Sequence, residues 1–221
     1  MKTTLLAALL TLASTALFAA DSPAVGSAAP DFSVTDSKNR PQSISQYKGK
    51  HVVLEWFNPE CPFVKKHYGS GNMQKLQEEF TGKGVVWLTV DSSATGMEGN
   101  LTAEQAEKKI AEWKAKQTAF LLDPDGKAGR TYGAKNSPHM FVINPEGKII
   151  YEGAIDSKPT PNPSDIAGST NYVKVALDES LAGKPVTTPS SRPYGCSVKY
   201  KLSIYDNPSY LLPRQCLGVM E

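Results

Sequence analysis

The chain contains only three cysteines in 221 residues, and none of them forms a Cys-x-x-Cys pair. Cys61 lies in the segment Trp-Phe-Asn-Pro-Glu-Cys-Pro-Phe-Val, so the position three residues after it is Val64. The other two cysteines, Cys196 and Cys216, lie far away near the C-terminus. A dithiol motif within one helical turn is therefore excluded, and any thiol partner of Cys61 must come from a distant part of the chain.

Long hydrophobic runs and an excess of one charge are also missing from most of the chain. The one long apolar stretch, residues 5–18, follows Lys2 and precedes Ala19 and Ala20. This pattern predicts a secretory signal peptide over residues 1–20, cleaved after Ala19 or Ala20. Cleavage changes the formal net charge from +2 to +1, which is too balanced to favour nucleic acid or an anionic membrane as a partner. We expect a periplasmic or secreted protein without a membrane segment after cleavage.

Export places all three cysteines in a compartment where disulfides persist. Three is an odd number, so one bridge with one free thiol, or an intermolecular bond, is the simplest expectation.

The hydrophobic pattern after the signal predicts alternating strands and helices. Residues 51–57 are almost continuously apolar or β-forming, which is typical of a central strand covered on both faces. Thr102 and Gln105 have the spacing of a capping box, and Asn-Pro-Glu-Gly at 144–147 predicts a hairpin turn. The other predicted elements are helices at 62–68, 72–80 and 172–181 and strands at 84–90, 120–122, 140–143 and 148–151. This order predicts an α/β fold with a central mixed β-sheet flanked by helices.

Cys61 stands where the strand at 51–57 passes into a helix. The unpaired backbone N–H groups and the positive dipole end of a helix N-terminus favour a thiolate over a thiol. The thiolate is the nucleophile in disulfide and peroxide chemistry. The flanking Glu60 and Pro62 favour an exposed, reactive side chain, whereas the alternative interpretation is a small buried hydrophobic residue.

Several short segments, in this order and spacing, resemble the thioredoxin superfamily and, within it, the alkyl hydroperoxide reductase/thiol-specific antioxidant (AhpC/TSA, redoxin) branch. The segments are Ala-Pro-Asp-Phe at 29–32, Tyr-Lys-Gly-Lys at 47–50, Trp-Phe at 56–57, Asn-Pro-Glu-Cys-Pro-Phe-Val-Lys-Lys-His-Tyr at 58–68 and Ser-Pro at 137–138. The resemblance covers roughly residues 29–183 and implies a thioredoxin-like fold with an N-terminal strand extension. We therefore divide the mature chain into a redoxin domain at 21–185 and a C-terminal extension at 186–221.

The resemblance also implies roles for three residues near Cys61. Ser137 and Pro138 are expected to form a cis peptide bond beside the thiol, where exposed backbone can pair with an incoming substrate chain. Glu55, six residues before Cys61, is expected to be a buried acid that accepts and returns a proton. Burial would raise its pKa toward the range that is useful in general acid–base catalysis. The alternative is a solvent-facing Glu55 without a role.

Three features separate this sequence from peroxiredoxins. Their reactive cysteine falls at the position of Val64, and the threonine and arginine that accompany it are missing here. Reduction of a peroxide requires a polarised O–O bond as well as a thiolate. These differences argue against efficient peroxidase activity.

The segment Arg-Pro-Tyr-Gly before Cys196 is typical of a shaped loop that lies beyond the main fold. Two interpretations stay open. Cys196 is either a resolving thiol that approaches Cys61 or the structural disulfide partner of Cys216. Residues 201–221 are too apolar for an ordinary disordered tail, and they either pack on the domain or mediate self-association.

Some side chains are of types that copper favours, namely Cys61, His67, His139, Met140 and Cys196. A lone histidine is more often structural than a ligand, so we expect no cofactor. Lys65 and Lys66 are expected to be solvated.

The sequence thus predicts an exported thiol-disulfide oxidoreductase with an antioxidant role. Cys61 is its nucleophile and Glu55 its proton carrier, Ser137 and Pro138 bind substrate, and Cys196 is the resolving thiol in one of the two open interpretations. The expected substrates are protein thiols and disulfides or small oxidants, and a periplasmic dithiol protein is the expected reductant. The alternatives are a weak thiol-dependent peroxidase and a non-catalytic thioredoxin-fold binding module, with or without copper.

Overall fold

A seven-stranded mixed sheet forms the centre of the fold in the computed structural model, which describes residues 22–201. The strands of the described residues are β1 (Val34–Asp36), β2 (Pro41–Gln42), β3 (Val52–Trp56), β4 (Val86–Asp91), β5 (Ala119–Leu122), β6 (Asn136–Ser137), β7 (His139–Ile143), β8 (Ile149–Gly153) and β9 (Cys196–Ser197). Strands β6 and β9 form a separate two-stranded sheet. The order in the large sheet is β2-β1-β5-β4-β3-β7-β8, in which β3, β4 and β5 run parallel and the other neighbouring pairs are antiparallel. The predicted α/β fold with a mixed sheet is confirmed.

In the described part of the chain five α-helices accompany the sheet, and they are α1 (Pro62–Gly69), α2 (Asn72–Gly82), α3 (Ala103–Trp113), α4 (Lys127–Thr131) and α5 (Tyr172–Leu181). The predicted capping box is present, because the Thr102 hydroxyl accepts the Gln105 N–H and the Gln105 side chain accepts the Thr102 N–H. Within residues 22–201, no helix is long and apolar enough to cross a membrane. The predicted signal peptide and Cys216 lie outside the described residues.

Strand β3 is buried along its whole length, as its composition predicts. Val53 belongs to the core on one face of the sheet, together with side chains of α1, α2 and α5. Leu54 and Trp56 belong to the core on the opposite face. Because successive side chains of a strand point to opposite faces, Glu55 shares the face of Val53 and enters a completely buried environment.

Candidate active site

Cys61 is the N-cap of α1, at the point where the chain leaves β3 and turns into the helix. Its backbone N–H donates to the Asn58 carbonyl at 3.1 Å, which closes the turn between the two elements. Pro62 is the first helical residue, a position at which the N–H group missing from proline has no helical partner to lose. The local sequence therefore places the Cys61 thiol at the positive end of the α1 dipole.

The expectation of an exposed Cys61 is wrong. Glu60 and Pro62 are exposed, but the Cys61 side chain is completely buried. Its thiol donates a hydrogen bond to the Ser137 carbonyl at 3.0 Å, and its sulfur accepts the backbone N–H of Cys196 at 3.4 Å. Residues from a distant part of the chain thus cover the thiol, which the local sequence around Cys61 does not reveal.

The covering residues belong to the segment 189–201, which we call the strap. Its strand β9 pairs antiparallel with β6, so that Cys196 lies opposite Ser137. Gly195 has a φ of +133°, and a Cβ atom there would come 2.1 Å from the Ser137 carbonyl oxygen. Only glycine allows the strap to approach β6 this closely.

The Ser137–Pro138 peptide bond is cis, as the resemblance implied. The Ser137 carbonyl faces the Cys61 thiol, and Asn136 donates its side-chain amide to the Gly195 carbonyl at 3.1 Å. The two predicted substrate-binding residues therefore lie beside the predicted nucleophile, and the strap occupies the backbone edge next to them.

Cys196 is half-buried, and both Cys61 and Cys196 are free thiols. Desolvation raises the pKa of Cys196 to about 12, and its hydrogen bond to Cys61 and the charge of that residue add to the shift. Cys196 consequently stays protonated near neutral pH.

Glu55 lies in strand β3 and is completely buried. Burial raises its pKa to about 7, although four donors hydrogen-bond the carboxyl and oppose the shift. The donors are the Trp87 indole at 2.8 Å, the Tyr68 hydroxyl at 2.9 Å, and Gln77 and Thr89 at 3.3 Å. The predicted burial is confirmed. Among the described residues, however, no hydrogen bond joins Glu55 to Cys61.

A buried polar cluster surrounds the hydroxyl of Tyr194 in the strap, and sequence reasoning missed it. The Lys66 side chain, expected to be solvated, is completely buried and its ammonium lies 3.1 Å from the Asp156 carboxylate. The Tyr194 hydroxyl donates to the same carboxylate. Tyr194 stands two residues before Cys196 in the sequence. This spacing was the available signal that Tyr194 would join the site.

The two histidines considered as copper ligands have other partners. The Nδ1 atom of His67 accepts the Asn72 side-chain amide at 2.9 Å, and burial lowers the pKa of His67 to about 4. The Nδ1 atom of His139 accepts the Lys135 N–H at 3.3 Å. In the part of the chain that the structure describes, no group of three or more His, Cys, Asp or Glu side chains has the arrangement of a metal site.

Comparisons with known proteins place these residues in context. The sequence model of the AhpC/TSA family matches residues 25–152, more than half of the chain. A protein of Bacillus thuringiensis named thiol-disulfide oxidoreductase ResA is 27% identical over 128 residues, which cover 58% of this chain and 68% of that protein. The protein of the same name from Geobacillus thermodenitrificans is 29% identical over 126 residues, which cover 57% of this chain and 67% of the relative.

Two solved structures share the fold. A hypothetical protein from Sinorhizobium meliloti superposes with a TM-score of 0.72 at 21% identity, covering 83% of this chain and 98% of its own. An uncharacterized conserved protein from Geobacillus kaustophilus has the same TM-score at 24% identity and covers 81% of this chain and 94% of its own. Because these coverages exceed that of the family match, the shared fold extends beyond residues 25–152.

Proposed function

The chain belongs to the AhpC/TSA family, and from this membership we propose that it is a thiol-disulfide oxidoreductase working through Cys61 and Cys196. The names of the ResA relatives support this reaction class. One observation carries the proposal for this chain. Two free cysteines that are 135 positions apart in sequence meet beside a cis peptide bond.

In the proposed reaction the Cys61 thiolate attacks one sulfur of a substrate disulfide. A mixed disulfide with Cys61 forms, and the other substrate sulfur leaves as a thiolate that takes up a proton. Cys196 then loses its proton and attacks the Cys61 sulfur, which forms the Cys61–Cys196 disulfide and releases the second substrate thiol. A dithiol protein reduces the new disulfide and completes the cycle.

Glu55 is proposed to accept and return a proton during these steps. A pKa of about 7 suits a group that must gain and lose a proton near neutral pH. Because its carboxyl does not hydrogen-bond Cys61, the proton needs an intermediate carrier, and a water molecule is the simplest one. Ser137 and Pro138 are proposed to hold the substrate through their backbone.

The proposed location is the periplasm or the exterior of the cell, which rests on the predicted signal peptide at residues 1–20. There a dithiol protein of the same compartment is the proposed reductant. We further propose that residues 21–185 form the redoxin domain and that the extension from residue 186 completes its active site by supplying Cys196.

The test is a single-turnover reaction of the fully reduced protein with a small disulfide, followed by peptide mapping. We expect a Cys61–Cys196 disulfide in the wild type, an accumulated mixed disulfide at Cys61 in Cys196→Ser, and no reaction in Cys61→Ser. Cys216→Ser is the matched control and should behave as the wild type. A disulfide only between Cys196 and Cys216 would reject the resolving role, and the absence of a mixed disulfide at Cys61 in Cys196→Ser would favour a non-catalytic binding module.

The burial of Cys61 favours a second candidate, the reduction of small oxidants that pass the strap more easily than a protein does. A peroxide would oxidise the Cys61 thiolate to a sulfenate and leave as water or an alcohol, and Cys196 would then expel water to form the same disulfide. Peroxide consumption by the wild type and Cys196→Ser, compared with the disulfide rates, separates the two activities.

A further inference from the structure

The strap occupies the place that a disulfide-bearing polypeptide needs. Strand β9 covers the edge of β6, and the backbone N–H of Cys196 lies 3.4 Å from the Cys61 sulfur. If polypeptide substrates bind through the backbone of Ser137 and Pro138, as proposed above, a chain that presents a sulfur to Cys61 runs along the same edge and enters the same space. Two chains cannot fill that space together, so the strap must leave before such a substrate can react.

We propose that the strap is an intramolecular competitor of polypeptide substrates. It covers Cys61 in the resting protein, moves aside to admit an extended chain that carries a cysteine, and returns to displace that chain as product. This inference deepens the proposed function and rests on it, because it states how the same cysteine pair selects between polypeptides and small molecules.

Contacts of the Tyr194 side chain hold the strap in its closed position. Its hydroxyl donates to Asp156, its ring packs on Phe63 with centroids 5.5 Å apart, and the Lys66 ammonium lies 5.7 Å from its ring centroid. When Tyr194 moves away from Asp156, the carboxylate keeps its ion pair with Lys66, which measures 3.1 Å. No buried charge is left without a partner, so opening avoids the largest penalty that a buried carboxylate can impose.

Anchors on both sides of Cys196 hold the ends of the strap. On one side Ser191 hydrogen-bonds the Ala154 N–H at 3.0 Å and the Tyr151 hydroxyl at 2.7 Å. On the other side the Tyr200 hydroxyl donates to the Ala134 carbonyl at 2.8 Å. The part between the anchors can move while its ends stay attached. Cys196 then returns at the high effective concentration of a tethered group.

The return of the strap carries out the second disulfide exchange, in which Cys196 displaces the substrate from Cys61. A mixed disulfide joins Cys61 to the substrate, and Cys196 brings its thiol back to the register opposite Ser137. The bond between Cys61 and the substrate sulfur breaks, the Cys61–Cys196 bond forms, and the substrate leaves as a thiolate that takes up the proton lost by Cys196. The pairing of β9 with β6 replaces the pairing of the substrate at the same time, so one movement completes the chemistry and releases the product.

The test loosens the strap without touching either cysteine. Tyr194→Phe removes the hydrogen bond to Asp156, and Gly195→Ala creates the clash with Ser137. Tyr172→Phe is the matched control for Tyr194→Phe, because Tyr172 and Tyr194 line the same cavity of about 510 Å³. Gly168→Ala is the matched control for Gly195→Ala, because a Cβ at Gly168 meets nothing within 4 Å. The measured rates are alkylation of Cys61 by iodoacetamide, read by peptide mapping, and single-turnover reaction of the reduced protein with hydroxyethyl disulfide and with insulin.

We expect Tyr194→Phe to alkylate Cys61 about tenfold faster than the wild type, because a lost hydrogen bond to a charged group raises the open population by about that factor. Gly195→Ala should also alkylate Cys61 faster, because the clash with the Ser137 carbonyl disfavours the closed strap. The rate with insulin should rise more than the rate with hydroxyethyl disulfide, and the controls should match the wild type. Unchanged alkylation in both variants overturns the strap proposal. Faster alkylation without reaction toward either disulfide instead rejects the proposed function and leaves the strap as a cover of Cys61.

Discussion

At the scale of single residues, the surroundings of a side chain decide its chemistry more than its type does. Glu55 is a carboxyl that has been carried into the core by its place in β3, and its pKa of about 7 follows from that burial. Lys66 is an ammonium that tolerates complete burial because Asp156 and the Lys158 carbonyl, at 3.1 and 2.8 Å, satisfy it. The burial of either group would be unfavourable without these partners.

Glu55 makes the stability of the fold depend on pH. Its pKa in the folded protein lies above the ordinary value of 4.5, so the folded protein binds more protons than the unfolded chain between about pH 4.5 and 7. The contribution of this group to the free energy of unfolding is therefore complete below about pH 4.5. This contribution falls by about 3 kcal/mol as the pH rises from about 4.5 to above 7.

We expect Glu55→Gln to lack this part of the pH dependence. His67 contributes the opposite slope, because its pKa is lowered to about 4, so the informative quantity is the wild-type curve minus the variant curve. Urea unfolding at a series of pH values gives both curves. The exposed Glu78→Gln is the matched control, and a Glu55→Gln curve parallel to the wild type would contradict the burial argument.

At the scale of elements, the strap depends on glycines in the parts of the fold that it crosses. Gly153 ends β8 with a φ of +142°, and a Cβ there would come 2.3 Å from the Ser191 carbonyl oxygen. At Gly129 a Cβ would come 2.4 Å from the Tyr200 hydroxyl. The absence of side chains at these positions lets the strap lie directly on the backbone of the domain, at both of its anchored ends.

Gly153→Ala is expected to detach the strap at Ser191 and to lower the free energy of unfolding by about 1–3 kcal/mol, because the new side chain suits neither the φ angle nor the available space. Thermal unfolding gives the stability, and limited proteolysis within residues 189–201 reports detachment. Gly168→Ala, which meets no neighbour within 4 Å, is the control. Equal protease resistance of Gly153→Ala and the wild type would show that the strap does not rely on this contact.

At the scale of the whole molecule, the proposed Cys61–Cys196 disulfide closes a loop across most of the domain. The two residues are 135 positions apart, and long loops lose the most conformational entropy in the unfolded chain when they are closed. The redox state should therefore change the stability of the entire domain as well as the site.

The oxidised protein is expected to be more stable than the reduced protein by about 5 kcal/mol, in line with the chain-entropy relation for a loop of this length. Denaturant unfolding with and without a reductant measures the difference. Cys196→Ser should show no dependence on the reductant, whereas Cys216→Ser should keep it. A wild type with equal stability in both states would argue against the Cys61–Cys196 pairing.

Sequence reasoning predicted the elements well where their signals are local. The α5 helix has the predicted bounds, and the α3 capping box depends on two residues that are three positions apart. The α2 helix begins at Asn72, as predicted, with Gly71 as its N-cap. The glycine adopts the left-handed conformation that the turn between α1 and α2 requires.

The sequence by itself determined the α/β fold and the position of Cys61 at a strand–helix junction, because hydrophobic periodicity, caps and turns act over a few residues. Only the tertiary structure decided that Cys196 lies opposite Ser137, that the strap buries Cys61 and that Lys66 pairs with Asp156. These contacts join segments that are far apart in the chain. They depend on the path of the backbone through the whole fold, which no local pattern contains.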